Sequence, residues 1–316
     1  MSRYVIDKKL LDENIEIVKQ KAGVPLIGVV KGNGYGFGIK EITKILVEHG
    51  IKTFAVTEVT DLPILREILT DEDILVMRST CIKDECREIA KYGATATIGS
   101  LQAGQAMSEV ATEMGVTVKC HLKIDTGMGR YGFMPSEIED AIKCYSLPNL
   151  EFTGAYTHFS SAFRNHDLTK AQLEMFKDTM AKIKEKVGNV GILHASNSPA
   201  LLNVEDVCLD TVRIGSAFTG RVITKSKSGL HRLGSLEAEV VDVKTVPKGY
   251  FVGYNATYQT KRETKIAIVP IGHYDGFGLT KEKEIITFRY VLSVFKSFLK
   301  KKQMYVKING RMYHVI

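Results

Sequence analysis

Pro25-Leu-Ile-Gly-Val-Val-Lys31-Gly-Asn-Gly-Tyr35-Gly-Phe-Gly38 is the stretch on which the fold turns. Its first six residues form a short, apolar, β-branched run without alternation, which suits a strand buried on both faces. Lys31 stands at the C-terminal end of that strand, where α/β barrels carry their catalytic groups. A lysine held there is partly desolvated. Burial disfavours its charge, and an uncharged amine is what Schiff-base chemistry needs. A lysine that merely snorkels from a strand end is the competing reading. The glycines weigh against it, because four in the seven residues 32–38 imply unusual backbone angles or close approach to a ligand.

Working outward, residues 10–220 alternate short apolar strands with amphipathic helices. Strands are expected at 26–30, 53–56, 74–77, 96–98, 118–124, 152–157, 191–194 and 211–214, with helices including 10–20, 39–48, 136–144 and 168–186. Eight strands alternating with helices over about two hundred residues favour a (β/α)8 TIM barrel over an open sheet. Beyond Gly220 the pattern changes. Strands at 236–246, 250–252 and 266–269 are separated by Pro247-Lys248-Gly249 and polar turns, and 304–308 and 311–316 flank an Asn309-Gly310 hairpin turn. The expected α/β organisation is therefore a barrel over residues 1–225 and a smaller, mostly antiparallel β domain over 226–316, which the first strand residues are free to join.

Composition sets the class. The 316 residues are 44% hydrophobic and 25% charged, as in an ordinary globular protein. The net charge of +7 is scattered through helical stretches rather than gathered into a nucleic-acid patch, apart from a dense basic run at 296–302. A positive field near an anionic cofactor accounts for it without nucleic acid. Five cysteines (Cys81, Cys86, Cys120, Cys144, Cys208) form no metal pattern and leave one unpaired, which points to reduced thiols and a cytoplasmic location. No signal-peptide core and no membrane-spanning apolar window is present.

Four further segments put polar groups at expected strand ends. In His121-Leu-Lys-Ile-Asp-Thr-Gly-Met-Gly-Arg130-Tyr-Gly-Phe, Lys123 alternates with Leu122 and Ile124 and so points into the barrel, where it needs a partner or a modification. Arg130 can present its planar fork to an anion. Ala155-Tyr-Thr-His158-Phe-Ser ends a strand in a histidine. His194-Ala-Ser-Asn197-Ser198 ends another in small hydrogen-bonding groups at a helix start, where phosphate binding and simple N-capping are both open. Val212-Arg213-Ile-Gly215-Ser216 closes the set.

These segments resemble the alanine racemase family of fold-type III pyridoxal-phosphate enzymes. The family's lysine motif reads Val-Lys-Ala-Asn-Ala-Tyr-Gly-His-Gly, and here Gly32 and Gly34 replace the alanines and Phe37 the histidine. Lys-Ile-Asp-Thr-Gly-Met-Gly-Arg matches nearly letter for letter. The resemblance implies pyridoxal 5'-phosphate as cofactor, with Lys31 as its Schiff-base lysine and Tyr35, Asn197, Ser198, Gly215 and Ser216 as further cofactor ligands, several of them on the phosphate. It implies that Arg130 contacts the cofactor's phenolic oxygen and the substrate carboxylate, and that His158 packs against the pyridine ring. Arg213, supported by His194, faces the ring nitrogen. Lys123 occupies a position often carbamylated in the family. An arginine cannot accept the ring proton, so a carbanion at Cα stays local and is quickly reprotonated.

Racemisation needs acid–base groups on both faces of Cα. The family supplies the second as a partner-subunit tyrosine in Pro-Ile-Gly-Tyr-Ala-Asp-Gly. Residues 270–276 read Pro-Ile-Gly-His-Tyr-Asp-Gly, so His273 takes the tyrosine's place and Tyr274 stands one residue late. The stretch 289–302 reads as an insertion, and the family's closing Gly-Arg-X-Cys-Met-Asp segment has no counterpart. The expected protein is a homodimeric, cytoplasmic amino-acid racemase with shared active sites, acting on alanine or a similar small amino acid. A racemase of serine or a basic amino acid, and a non-catalytic pyridoxal-phosphate carrier, are the alternatives.

Overall fold

A computed structural model describes residues 2–222, 224, 228–277 and 304–315, and the chain divides into two units, Ile6–Leu233 and Met1–Val5 with Gly234–Ile316. Strand β1 (Arg3–Ile6) comes first. The unit Ile6–Leu233 then carries β2 (Leu26–Val29), β3 (Thr53–Val56), β4 (Asp73–Ser79), β5 (Thr95–Ile98), β6 (Val118–Lys123), β7 (Leu150–Tyr156), β8 (Ile192–His194) and β9 (Val212–Ile214). All neighbours in this sheet are parallel, in the order β8-β7-β6-β5-β4-β3-β2-β9. A parallel bridge between His194 and Thr211 joins the two ends, so the sheet is a nearly closed barrel. Helices stand between successive strands, from Lys8–Ala22 before β2 to Ser198–Asn203 before β9. Each of the eight expected strands overlaps an observed one.

Strand alternation decides what reaches the barrel's interior. Outward residues such as Leu26, Val30, Phe54, Ile74, Val76, Ala96, Leu122, Val212 and Ile214 join the large core shared with the helices. Inward residues Ile27, Val29, Ala55, Leu75 and Tyr156 form a much smaller apolar cluster. His121, Lys123, His194 and Arg213 share the inward phase and are all buried.

The glycine-rich segment after β2 is a left-handed turn. Gly32, Asn33, Gly34 and Tyr35 have φ of 61°, 52°, 63° and 58°. Such angles cost a side-chain-bearing residue about 1–2 kcal/mol each, a cost that glycine at two of the four positions removes. The Asn33 side chain accepts the Ile39 N–H at 3.0 Å and so ties the turn to helix Ile39–Glu48.

In the second unit, β10 (Gly234–Glu237) pairs with β1, β11 (Asp242–Val246) with β14 (Thr264–Ile268), β12 (Phe251–Val252) with β13 (Tyr258–Gln259), and β15 (Met304–Ile308) with β16 (Arg311–Val315). The last three pairs are antiparallel. Residues 236–246, expected as one strand, are two. The apolar phase slips at Val240-Val241, and the two halves take different partners. Asn309 and Gly310 both have positive φ, as a two-residue hairpin requires. The expected insertion at 289–302, the basic run at 296–302 and the closing residue of the 311–316 strand lie outside the described residues.

Gly32→Ala and Gly34→Ala should both lower the thermal midpoint. An added Cβ at Gly32 meets nothing within 4 Å, so its cost is conformational, about 1–2 kcal/mol. At Gly34 it also meets the Ile39 backbone nitrogen at 3.3 Å, so the loss should be larger. Melting curves followed by circular dichroism check this, and unchanged midpoints for both variants would rule out the left-handed turn.

Candidate active site

The strand C-termini converge on a cavity of about 470 Å³. Lys31, Lys123, Arg130 and Arg213 line it, and Glu58 is the one carboxylate on its wall among the described residues. Arg78, also on the wall, is occupied by Glu85 at 2.7 Å and Glu58 at 3.6 Å. The cavity is therefore built for an anion. Lys31 is half-buried. Burial, then the charges of Arg130 and Arg213, hold its amine below the ordinary lysine range.

Arg213 is 2% exposed and enters the barrel from β9 with no carboxylate partner among the described residues. Its Nη1 donates to His194 Nδ1 at 2.8 Å and to the His194 carbonyl at 3.2 Å. Its Nη2 donates to the carbonyls of Thr157 at 2.7 Å and Ala195 at 2.9 Å, with His158 Nδ1 at 3.4 Å. These partners occupy both terminal nitrogens and leave Nε–H as the donor with no partner among the described residues. Behind Arg213, His194 Nε2 lies 2.9 Å from His121 Nδ1. The Tyr156 ring stacks on His194 at 4.8 Å and carries Lys123 Nζ 4.3 Å from its centroid. The Tyr156 hydroxyl donates to the Met77 carbonyl at 2.9 Å and meets Thr97 Oγ1 at 2.9 Å. Lys123 itself, 3% exposed, has no hydrogen bond or ion pair among the described residues. Burial, reinforced by Arg213 and Arg130, pushes its amine down to about 7.

Arg130 is presented by a loop organised around one carboxylate. Asp125 Oδ1 accepts the N–H groups of Gly127, Met128 and Gly129 at 2.8, 2.8 and 3.2 Å. Its Oδ2 accepts that of Arg130 at 3.0 Å. Burial works to raise this carboxyl, but the four backbone donors win and hold it low.

In the same cavity lining, Ser198 Oγ accepts the N–H groups of Gly215 and Ala217, both at 3.2 Å. Asn197 caps the helix by accepting the Ala200 N–H at 3.0 Å. A Cβ on Gly215 would sit 2.4 Å from the Tyr35 hydroxyl, so only glycine lets that phenol reach this wall. Burial pushes Tyr35 up to about 12, leaving it a neutral O–H at physiological pH.

Lys31, Tyr35, Lys123, Arg130, His158, Asn197, Ser198, Arg213, Gly215 and Ser216 thus share one cavity wall, with His194 directly behind Arg213. His273 and Tyr274 belong to the other unit, in a short helical turn, both exposed. Sequence reasoning missed Tyr156, His121 and Asp125 as organising residues. Asp-Thr-Gly-Met-Gly carries a usable signal for the last, since aspartate before glycines often accepts local backbone N–H groups. Nothing local marks the other two.

Comparison with known proteins agrees with this architecture. The alanine racemase N-terminal domain family matches residues 6–222, and the alanine racemase C-terminal domain family residues 233–316. The alanine racemase of Methanococcus maripaludis is 33% identical over 282 residues, covering 86% of this chain and 75% of that protein. That of Carboxydothermus hydrogenoformans is 34% identical over 266 residues, with 83% and 71% covered. Among solved structures, the alanine racemase of Clostridium difficile aligns with all of this chain and 79% of its own at a TM-score of 0.87 and 27% identity. The enzyme of Streptomyces lavendulae, described as a D-cycloserine producer, gives 0.85 at 25% identity, covering 99% of this chain and 80% of that one.

The buried histidines make stability depend on pH. Burial, together with Arg213, pushes His121 down to about 4, and burial with Arg213 and His121 drives His194 far below the usual range. In the unfolded chain a histidine titrates near its ordinary value of about 6.5. Below that pH the unfolded state binds more protons, so stability is lost as pH falls from about 6.5. Each ring contributes a slope of about 1.4 kcal/mol per pH unit. Thermal midpoints measured between pH 6.5 and 5, above most carboxylate titrations, should therefore decline. A flat profile would mean that both rings are charged in the fold.

Proposed function

The chain belongs to the alanine racemase family, and from that premise we propose a pyridoxal-phosphate-dependent racemase interconverting the L and D forms of alanine or an amino acid of similar size. One observation carries the reading. Five separate segments, each resembling a family motif, deliver Lys31, Tyr35, Arg130, His158, Asn197 and Arg213 to a single cavity wall.

The residues fit the cofactor. A phosphate dianion suits a wall with five basic side chains, one of them Arg78 already paired, and a single carboxylate among the described residues. The close approach of Tyr35 to Gly215 leaves a phenol beside Ser198 and Ser216 for its oxygens. Arg213 keeps one donor, Nε–H, for a ring nitrogen. Bound there, pyridoxal phosphate supplies an electrophilic carbon for amine attachment and a ring that draws charge from Cα.

This chain's residues do the rest. Lys31, held below full basicity, carries the cofactor and takes or returns the Cα proton on one face. Arg213 offers only donors, so the ring nitrogen opposite it stays unprotonated and charge remains near Cα, where a proton returns. Arg130, aimed by Asp125, binds the substrate carboxylate. His158, kept neutral by burial and by Arg213, packs beside the ring without adding charge. Lys123 is an uncharged, unpartnered amine for part of the time, so carbon dioxide can add to it and give an anion opposite Arg130 and Arg213.

The opposite-face acid is assigned to the partner's His273 in a homodimer. In support, the second unit exposes several large apolar side chains, Val241, Val243, Tyr250, Phe251, Tyr254 and Tyr274 among them. A cytoplasmic location rests on the five cysteines, all free thiols. Among the described residues, no helix is long and apolar enough to cross a membrane.

Protein mixed with pyridoxal phosphate should gain a visible absorption band and convert L-alanine to D-alanine, and Lys31→Ala should lose both. Borohydride reduction should fix the cofactor's mass on the Lys31 peptide. A wild-type protein that stays colourless in excess cofactor overturns the reading.

His273→Tyr should raise turnover, since a general acid–base group contributes roughly 10²–10⁴-fold. Tyr274→Phe should change little. If Tyr274→Phe removes activity instead, Tyr274 is the acid. His273 in the tyrosine's place also favours the carrier reading, which prevails if cofactor binds but neither wild type nor His273→Tyr racemises any amino acid.

A further inference from the structure

We propose that His121 is a positioning residue that fixes the tautomer of His194 and thereby locks the guanidinium of Arg213. The proposal rests on Arg213 facing the cofactor ring, as argued above. Arginine has donors and no acceptor, so the 2.8 Å contact from Nη1 makes His194 Nδ1 an acceptor without a proton. The neutral His194 ring then carries its proton on Nε2. That atom lies 2.9 Å from His121 Nδ1, which must accept, so His121 carries its own proton on Nε2. One arrangement of protons satisfies the whole line.

Without an acceptor at position 121, the Nε2–H of the fully buried His194 would be stranded. The ring would then gain by moving its proton to Nδ1, where it would point at Arg213 and break the contact. The fold makes specific room for this. Between Cys120 and His121 the β6–β7 register slips, so that Cys120 faces Phe152 and His121 faces Gly154. A Cβ at Gly154 would stand 2.7 Å from His121 Nε2. The bulged strand and the missing side chain together admit an imidazole where a larger neighbour would expel it.

Selective 15N-histidine labelling and long-range 1H–15N correlation spectra of the protein without added cofactor read the tautomers directly. Both His194 and His121 should show a bare Nδ1 and a protonated Nε2 at neutral pH. His121→Phe keeps a planar ring, somewhat larger than imidazole, but removes the acceptor. It should disturb the His194 pattern and lower kcat by about 10–100-fold, the usual cost of losing an outer-shell partner, with the KM for alanine little changed. His121→Asn, whose Oδ1 can replace Nδ1, should recover most of both. The idea is overturned if wild-type His194 carries its proton on Nδ1 or is doubly protonated, if His121→Phe leaves spectrum and kcat untouched, or if His121→Asn falls as far as His121→Phe. The wild-type spectra decide the point even if the phenylalanine variant does not fold. A wild type with normal tautomers but no turnover would instead sink the racemase reading.

Discussion

A guanidinium buried in a barrel with no carboxylate partner among the described residues is the constraint from which the rest of the site follows. Moving an unpaired cation out of water is costly, and Arg213 is tolerable only because its terminal nitrogens are saturated by oriented acceptors. Three of these are main-chain carbonyls at the ends of neighbouring strands, Thr157, His194 and Ala195. A fourth is the His194 imidazole, whose own proton is directed elsewhere, and His158 Nδ1 lies at 3.4 Å. The ends of β7 and β8 thus meet around one planar group. The same saturation leaves a single N–H, and hence a single direction in which the arginine can act on a ligand.

Two loops present the remaining charges by different devices. After β2, a run of left-handed angles turns the chain back on itself, and helix Ile39–Glu48 is stitched to it through Asn33. After β6, a single carboxylate gathers four successive N–H groups and sets Arg130 at the end of the series. The first device is steric and rests on glycine. The second is electrostatic and rests on aspartate. Both are short-range, so the positions of Lys31, Tyr35 and Arg130 depend little on distant packing.

The barrel was legible because its strands are buried on both faces and separated by amphipathic helices, a pattern strong enough to outline all eight strands. The motifs at their ends could be read for the same reason, since each cavity residue lies at or just past a strand terminus. What escaped notice depends on partners far away in sequence. Tyr156 is held by Met77 and Thr97, and His121 by a histidine two strands and 73 residues further along the chain. Strand β1 was foreseen only as first strand residues free to join the second domain, without a range, because Arg3–Ile6 is four residues long and half exposed. The false single strand at 236–246 arose because two adjacent valines hide a change of alternation phase.

The crowding of like charges in the cavity has a consequence for the lifetime of the molecule. Lys31, Lys123, Arg130 and Arg213 repel one another, and a dianion that binds only the folded form relieves that repulsion. Such a ligand stabilises the fold by about 2.7 kcal/mol when present at a hundred times its dissociation constant. Proteolysis that proceeds through transient opening slows by the same factor, about a hundredfold. In a cell, molecules that have captured such an anion would outlast those that have not, so the standing amount of protein would follow the supply of that anion without any dedicated regulator.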